Sequence, residues 1–208
     1  MNDKIVDAVL DALPRSGVVI VEVSARHVHL SQTDVERLFG TGARLTPKRE
    51  LSQPGQFLSE ERVAVIGPKG RRERTAVLGP ERAQTQVELS RTDCAELGIK
   101  APLKESGKLD GSAGITLEGP KGSITLSEGA IIAHNHVHLT PEDAAVMGLS
   151  DGERVSVEVL TERPVTFNDV IIRVSEKFRS RMHIDVDEAN AALAEGFTLG
   201  HIIPLPRS

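Results

Sequence analysis

Apolar and polar residues alternate along most of this chain in short bursts. The stretches VVIVEVS (residues 18–24), RVAVIG (62–67), TAVLG (75–79), TQVELS (85–90), GITLEG (114–119), GSITLS (122–127), GAIIAHNHVHL (129–139), ERVSVEVL (153–160) and DVIIRVS (169–175) have period-two patterning bounded by Gly, Pro, Ser or charge, which predicts strands. So many short, punctuated strands predict sheets closed into barrels and not a parallel sheet flanked by helices. The opening MNDKIVDAVLDALP departs from this period. It sets Ile5, Val6, Val9, Leu10 and Leu13 on one stripe before Pro14, so residues 1–15 are expected to form an amphipathic helix. Such a helix packs on its own domain or a second subunit, or serves as a docking peptide.

Two internal repeats organise the strands. Val, then His or Glu, then L[ST]xxD and a following Gly occurs at VHLSQTDVERLFG (28–40), VELSRTDCAELG (87–98) and VHLTPEDAAVMG (137–148). Each copy reads as a strand ending in a Ser or Thr that caps a short helix, with Asp34, Asp93 and Asp143 in its first turn and a Gly stop. The tetrapeptide GPKG occurs at 67–70 and 119–122, each time after an alternating strand. The expected fold is therefore mostly β: two small related β-barrel domains with short capped helices, spanning 16–105 and 106–208. Their linker is expected in the polar stretch APLKESGKLDGS (101–112).

Composition narrows the function. The 208 residues suffice for two small cores. With five Phe and no Trp or Tyr, these must be filled by Val, Ile and Leu. A net charge of -5 argues against a general nucleic-acid binder. No apolar run approaches the roughly 20 residues of a membrane span, and the N-terminus lacks a secretory pattern. A soluble intracellular protein is expected. The single cysteine, Cys94, rules out an internal disulfide framework and Cys-rich zinc modules.

The repeats also bear on chemistry. His29, Glu88 and His138 occupy the same step of the same element, and a position that takes either His or Glu is better explained by coordination than by packing. Residues two apart on a strand share a face, so His27 and His29 converge, as do His134, His136 and His138. His183, in RMHIDVDEAN, again precedes an acidic helix start. These seven side chains exceed one tetrahedral ion and suffice for two. The residues alone leave open structural histidines, a fold-holding metal clamp and a working metal site.

The segments SARHVHLS (24–31), GPKG, HNHVHLTPEDA (134–144) and RMHIDVDEANA (181–191) resemble the signatures of the PduL-type phosphate propanoyltransferase family, from about residue 16 to the C-terminus. The resemblance implies two β-barrel domains with a two-metal site, usually zinc, at their junction. It implies conversion of a short-chain acyl-CoA, propanoyl-CoA or acetyl-CoA, and inorganic phosphate to acyl phosphate and coenzyme A. One metal would take His27, His29 and Glu88; the other would draw on His134, His136, His138 and His183; Arg82 would bind phosphate. Arg71, Arg72 and Arg74, after the first GPKG, are candidates for the CoA phosphates. The likeness further implies a homodimer in a bacterial microcompartment lumen or the cytoplasm, with shell or lumen partners and a role such as propanediol degradation. The alternatives are a zinc-dependent thioesterase or other hydrolase, a non-catalytic structural zinc protein, and, for mechanism, an acyl-cysteine route through Cys94.

Overall fold

A computed structural model of the chain describes residues 9, 10 and 12–205. Ile5 and Val6 of the expected N-terminal helix lie outside them. Within that segment Val9, Leu10 and Ala12 are helical, and a 3-10 turn, Leu13–Ser16, follows, which buries Pro14 and stops at Gly17 in the left-handed region.

The alternating stretches fold into two closed six-stranded barrels. In one, β1 (Val18–Ser24), β13 (Arg181–Asp185), β10 (His136–Leu139), β12 (Val165–Val174), β11 (Arg154–Leu160) and β14 (Thr198–Pro204) follow in that order, and β14 pairs back onto β1. In the other, β4 (Phe57–Ile66), β5 (Arg71–Gly79), β2 (His27–His29), β6 (Gln86–Glu88), β9 (Gly122–Ala133) and β8 (Ala113–Gly119) close through a β8–β4 pairing. The short strands β3 (Pro47–Glu50) and β7 (Leu103–Lys104) extend this second sheet.

The two barrels share one pairing scheme. β2 and β6 run antiparallel with Val28 opposite Val87, and each has a parallel partner, β5 and β9. β10 and β13 likewise run antiparallel with Val137 opposite Met182, with parallel partners β12 and β1. Each barrel is thus itself a duplication, and the chain holds four copies of one strand–helix element where the sequence showed three. After the strands come α1 (Gln32–Phe39), α2 (Arg91–Leu97), α3 (Pro141–Met147) and α4 (Val186–Ala192). Ser31, Ser90, Thr140 and Asp185 cap them by accepting from first-turn backbone N–H groups, each cap contributing about 1 kcal/mol. Gly98 and Gly148 end α2 and α3 in the left-handed conformation as expected; Gly40 after α1 does not adopt it.

The GPKG turns belong to the same duplication. Lys69 donates its backbone N–H to the Leu97 carbonyl at the end of α2, and Lys121 donates to Leu38 at the end of α1, both at 3.0 Å. A Cβ on Gly67 or Gly119 would collide with those same carbonyl oxygens, which explains the glycine in each copy.

The expected domain boundaries differ from this architecture. One compact unit joins the segment ending at Ser24 to the segment beginning at Asn135, and the other is Ala25–His134. The reason is the parallel pairing of β1 with β13, which commits the first strand to the barrel completed by the C-terminal residues. The expected linker at 101–112 lies inside the second unit, where Leu103–Lys104 pair with β9. Both GPKG copies also fall in that unit, so they mark repetition within a barrel and not between barrels.

Each barrel has its own aliphatic core. Val19, Val137, Leu139, Val157, Ile172 and Met182 are fully buried in the first, and Val28, Leu30, Val65, Val77, Val87 and Leu117 in the second. Each such side chain contributes roughly 1.5–3 kcal/mol relative to exposure.

Candidate functional site

The short paired strands that carry the duplication also carry the histidines. Among the described residues, two groups present ligand atoms all within 4.8 Å of one another: His27, His29 and Glu88 in one barrel, and His136, His138 and His183 in the other. Register explains the grouping. His27 lies directly opposite Glu88 across β2 and β6, and His136 directly opposite His183 across β10 and β13. The i, i+2 spacing on one strand adds His29 and His138 to the same faces.

In the first group His27 Nδ1 lies 2.9 Å from the Ala25 carbonyl oxygen, which only accepts, so Nδ1 donates to it and Nε2 is left for the cluster. His27 Nε2 faces Glu88 Oε2 at 3.4 Å, and His29 Nε2 lies 3.9 Å from Glu88 Oε1. Two donors on a tetrahedral zinc, each about 2.0–2.1 Å from the ion, stand about 3.3 Å apart. The donor set and spacing therefore fit zinc. His29 is held well below the ordinary imidazole range, first by burial and then by His27 and Arg82, with the Leu78 backbone opposing. It is thus neutral, as a ligand must be.

The second group contains a clearer signature. His138 is 7% exposed, yet neither of its ring nitrogens has a hydrogen-bond partner. Orphaned buried polar atoms are costly, and a cation bound by this cluster would satisfy one of them. Burial, followed by His136, His183 and Arg173, pushes its pKa down to about 2. The Phe178 ring stacks on His138 with centroids 3.9 Å apart. Glu22 Oε2 lies 3.8 Å from His183 Nδ1.

Of the seven expected ligands, six fall into the two groups. His134 joins neither among the described residues: it sits between β9 and β10, tied by its backbone N–H to the Lys104 carbonyl at 2.9 Å. Because the strand is interrupted at His134 and Asn135, the period-two alternation that was expected to align it with His136 is broken. Arg82 does not open the strand that carries Glu88. It forms an isolated bridge with Ser31, and its backbone N–H donates to Leu30. Its guanidinium nevertheless acts on His29 electrostatically, and its Nη1 donates to Ser106 Oγ at 3.3 Å.

Arg71 is held by Glu73 and Glu118, Arg72 by Glu96, and Arg74 is exposed with φ 54. Cys94 is buried in α2, as the packing role requires. Gln86, Glu22 and Phe178 were missed in the sequence. Gln86 was legible, since it stands two residues before Glu88 on one strand.

Fold and site together define a protein of two like-paired β-barrels, each presenting a cluster of candidate metal ligands at its central strand pair. The family model for phosphate propanoyltransferase matches residues 20–195. A phosphate propanoyltransferase of Clostridioides difficile is 46% identical over 97% of this chain and 96% of its own. Those of Priestia megaterium and Thermotoga maritima are 52% and 47% identical, over 91% and 89% of this chain and 88% and 89% of theirs. The chain belongs to the phosphate propanoyltransferase family, and its role is that of a phosphate acyltransferase.

Proposed function

We propose that the chain transfers a short acyl group, propanoyl or acetyl, between coenzyme A and inorganic phosphate, with zinc held by His27, His29 and Glu88 and by His136, His138 and His183. The observation that supports this most directly is the run of contacts from Arg82 to Ser106 Oγ at 3.3 Å and from Ser106 through Gln86 to Glu88, which ties a guanidinium to a ligand cluster.

In the reaction a phosphate oxygen attacks the thioester carbonyl carbon, the C–O bond forms, and the C–S bond breaks. The proton of hydrogen phosphate passes to the departing thiolate, giving acyl phosphate and CoA. Zinc, when bound, supplies Lewis acidity for the developing oxyanion and the leaving sulfur. The Arg82 guanidinium holds two phosphate oxygens through parallel charge-assisted hydrogen bonds and so aims the third. Buried, neutral His29 and His138 keep the ligand faces free of competing protons. Cys94 has no part, since its thiol is packed in the core.

Arg71, Arg72 and Arg74 are assigned to the CoA phosphates. On the strength of the family likeness, the reading extends to a homodimer in a microcompartment lumen or the cytoplasm. Among the described residues no helix is long and apolar enough to cross a membrane. Incubating the zinc-loaded protein with propanoyl-CoA and phosphate tests the assignment: acyl phosphate supports transfer, and free acid alone supports a hydrolase.

A further inference from the structure

Gln86 is 1% exposed, and both ends of its amide are engaged. Oε1 accepts the backbone N–H of Gly107 at 2.8 Å, while Nε2 donates to Glu88 Oε1 at 2.5 Å and to Ser106 Oγ at 2.9 Å. A backbone N–H only donates, so Gly107 fixes which end of the amide is oxygen and turns the NH2 toward the carboxylate and the hydroxyl. Ser106 Oγ also accepts from Arg82 Nη1. One buried side chain thus grips the ligand carboxylate and, through a single serine, the arginine.

The geometry gives this contact a purpose. Gln86 holds Glu88 Oε1, leaving Oε2 to face His27 Nε2; an untethered carboxylate would rotate or offer both oxygens. Gln86 lies opposite His29 just as Arg181 lies opposite His138 in the other barrel. Arg181 is also buried, and its Nε lies 3.6 Å from Glu22, the carboxylate that faces His183. In both barrels this pairing position is given to a buried polar side chain next to a carboxylate that contacts a candidate ligand.

We propose that Gln86 is a positioning residue that couples the Glu88 ligand to Arg82, so that metal binding and phosphate binding are set by one hydrogen-bond network. This rests on the function proposed above.

The test compares wild type with Gln86→Met, which keeps the length and removes all three hydrogen bonds. Zinc affinity is measured on metal-stripped full-length protein by competition with a chromophoric chelator, and steady-state kinetics are measured with phosphate and acyl-CoA varied separately. The expected result is a roughly tenfold or greater weakening of one zinc ion, a similar rise in the phosphate KM, an unchanged acyl-CoA KM, and no further effect on the phosphate KM in an Arg82→Ala background. A lowered melting temperature with zinc affinity and phosphate KM unchanged would reduce Gln86 to a packing role and overturn the proposal. Weakened zinc with an unchanged phosphate KM would overturn the coupling.

Should Gln86→Met not fold, Gln86→Glu keeps the shape and the acceptor for Gly107 but replaces the amide donor with a second carboxyl that must share a proton with Glu88. It is expected to raise the phosphate KM, and an unchanged value would contradict the proposal. Wild type run alongside separates the two readings: absence of acyl phosphate there refutes the function, whereas the zinc competition judges Gln86 without reference to turnover.

Discussion

His27 and Glu88 lie directly opposite each other on antiparallel strands, with His27 Nε2 3.4 Å from a carboxylate oxygen. A buried carboxylate needs a charged partner, and the two imidazoles beside Glu88 make a donor set that fits zinc. Glu88→Ala is therefore expected to lower bound zinc from two ions per chain to one and to reduce turnover by about 100-fold, or ~2.7 kcal/mol, while the chain stays folded because the second cluster keeps its ligands. Metal analysis of purified protein together with far-UV circular dichroism checks this. Two ions retained would remove Glu88 from the ligand set.

The two ends of HNHVH are expected to behave differently. His134→Ala should retain both zinc ions, because His134 stands outside the strand that aligns His136 with His138. His183→Ala should lose one. Equal loss from both variants would restore His134 as a ligand.

The repeat made most of this site legible. The sequence repeat equates His29, Glu88 and His138; His183, already a candidate from RMHIDVDEAN, proves to stand at the same step of a fourth copy, disguised because MHID replaces the VHL motif. Strand β1 was read to the residue. The exposed edge strand β3 was not, because PKRE has no alternation to read; β14 was also missed. Domain division was the larger failure. Local periodicity carries no information about a parallel pairing between residues 20 and 181, and a linker-like composition at 101–112 did not reveal the turn that supplies Ser106 and Gly107 to Gln86.

Arg82→Lys is expected to keep both metals and to lower kcat/KM for phosphate by about 10- to 100-fold, roughly 1.4–2.8 kcal/mol, because an ammonium lacks the guanidinium fork. Kinetics with phosphate varied at saturating acyl-CoA read this directly. An unchanged value would take Arg82 out of the site, and loss of metal would make it a support for a ligand.

The metal-free protein should lose stability on acidification. His138 is pushed down to about 2 and His29 is lowered well below 6.5, so the unfolded chain binds protons that the folded chain refuses. Stability therefore falls as pH drops below about 6.5 and continues to fall toward the folded-state values. Urea unfolding of metal-stripped protein at pH 7.5, 6.0 and 5.0 should show a declining midpoint, and His138→Phe should flatten the decline. An equal slope in wild type and variant would contradict the assignment.

The proposed transfer directs phosphate, held at Arg82 beside His27, His29 and Glu88, onto a thioester. It is tested most directly by phosphorus NMR of propanoyl-CoA and phosphate incubated with protein whose zinc content is measured on the same sample. An acyl phosphate resonance should grow in step with CoA release, be lost on metal stripping and return on adding zinc. CoA release without acyl phosphate, or acyl phosphate formed equally by metal-free protein, would contradict it.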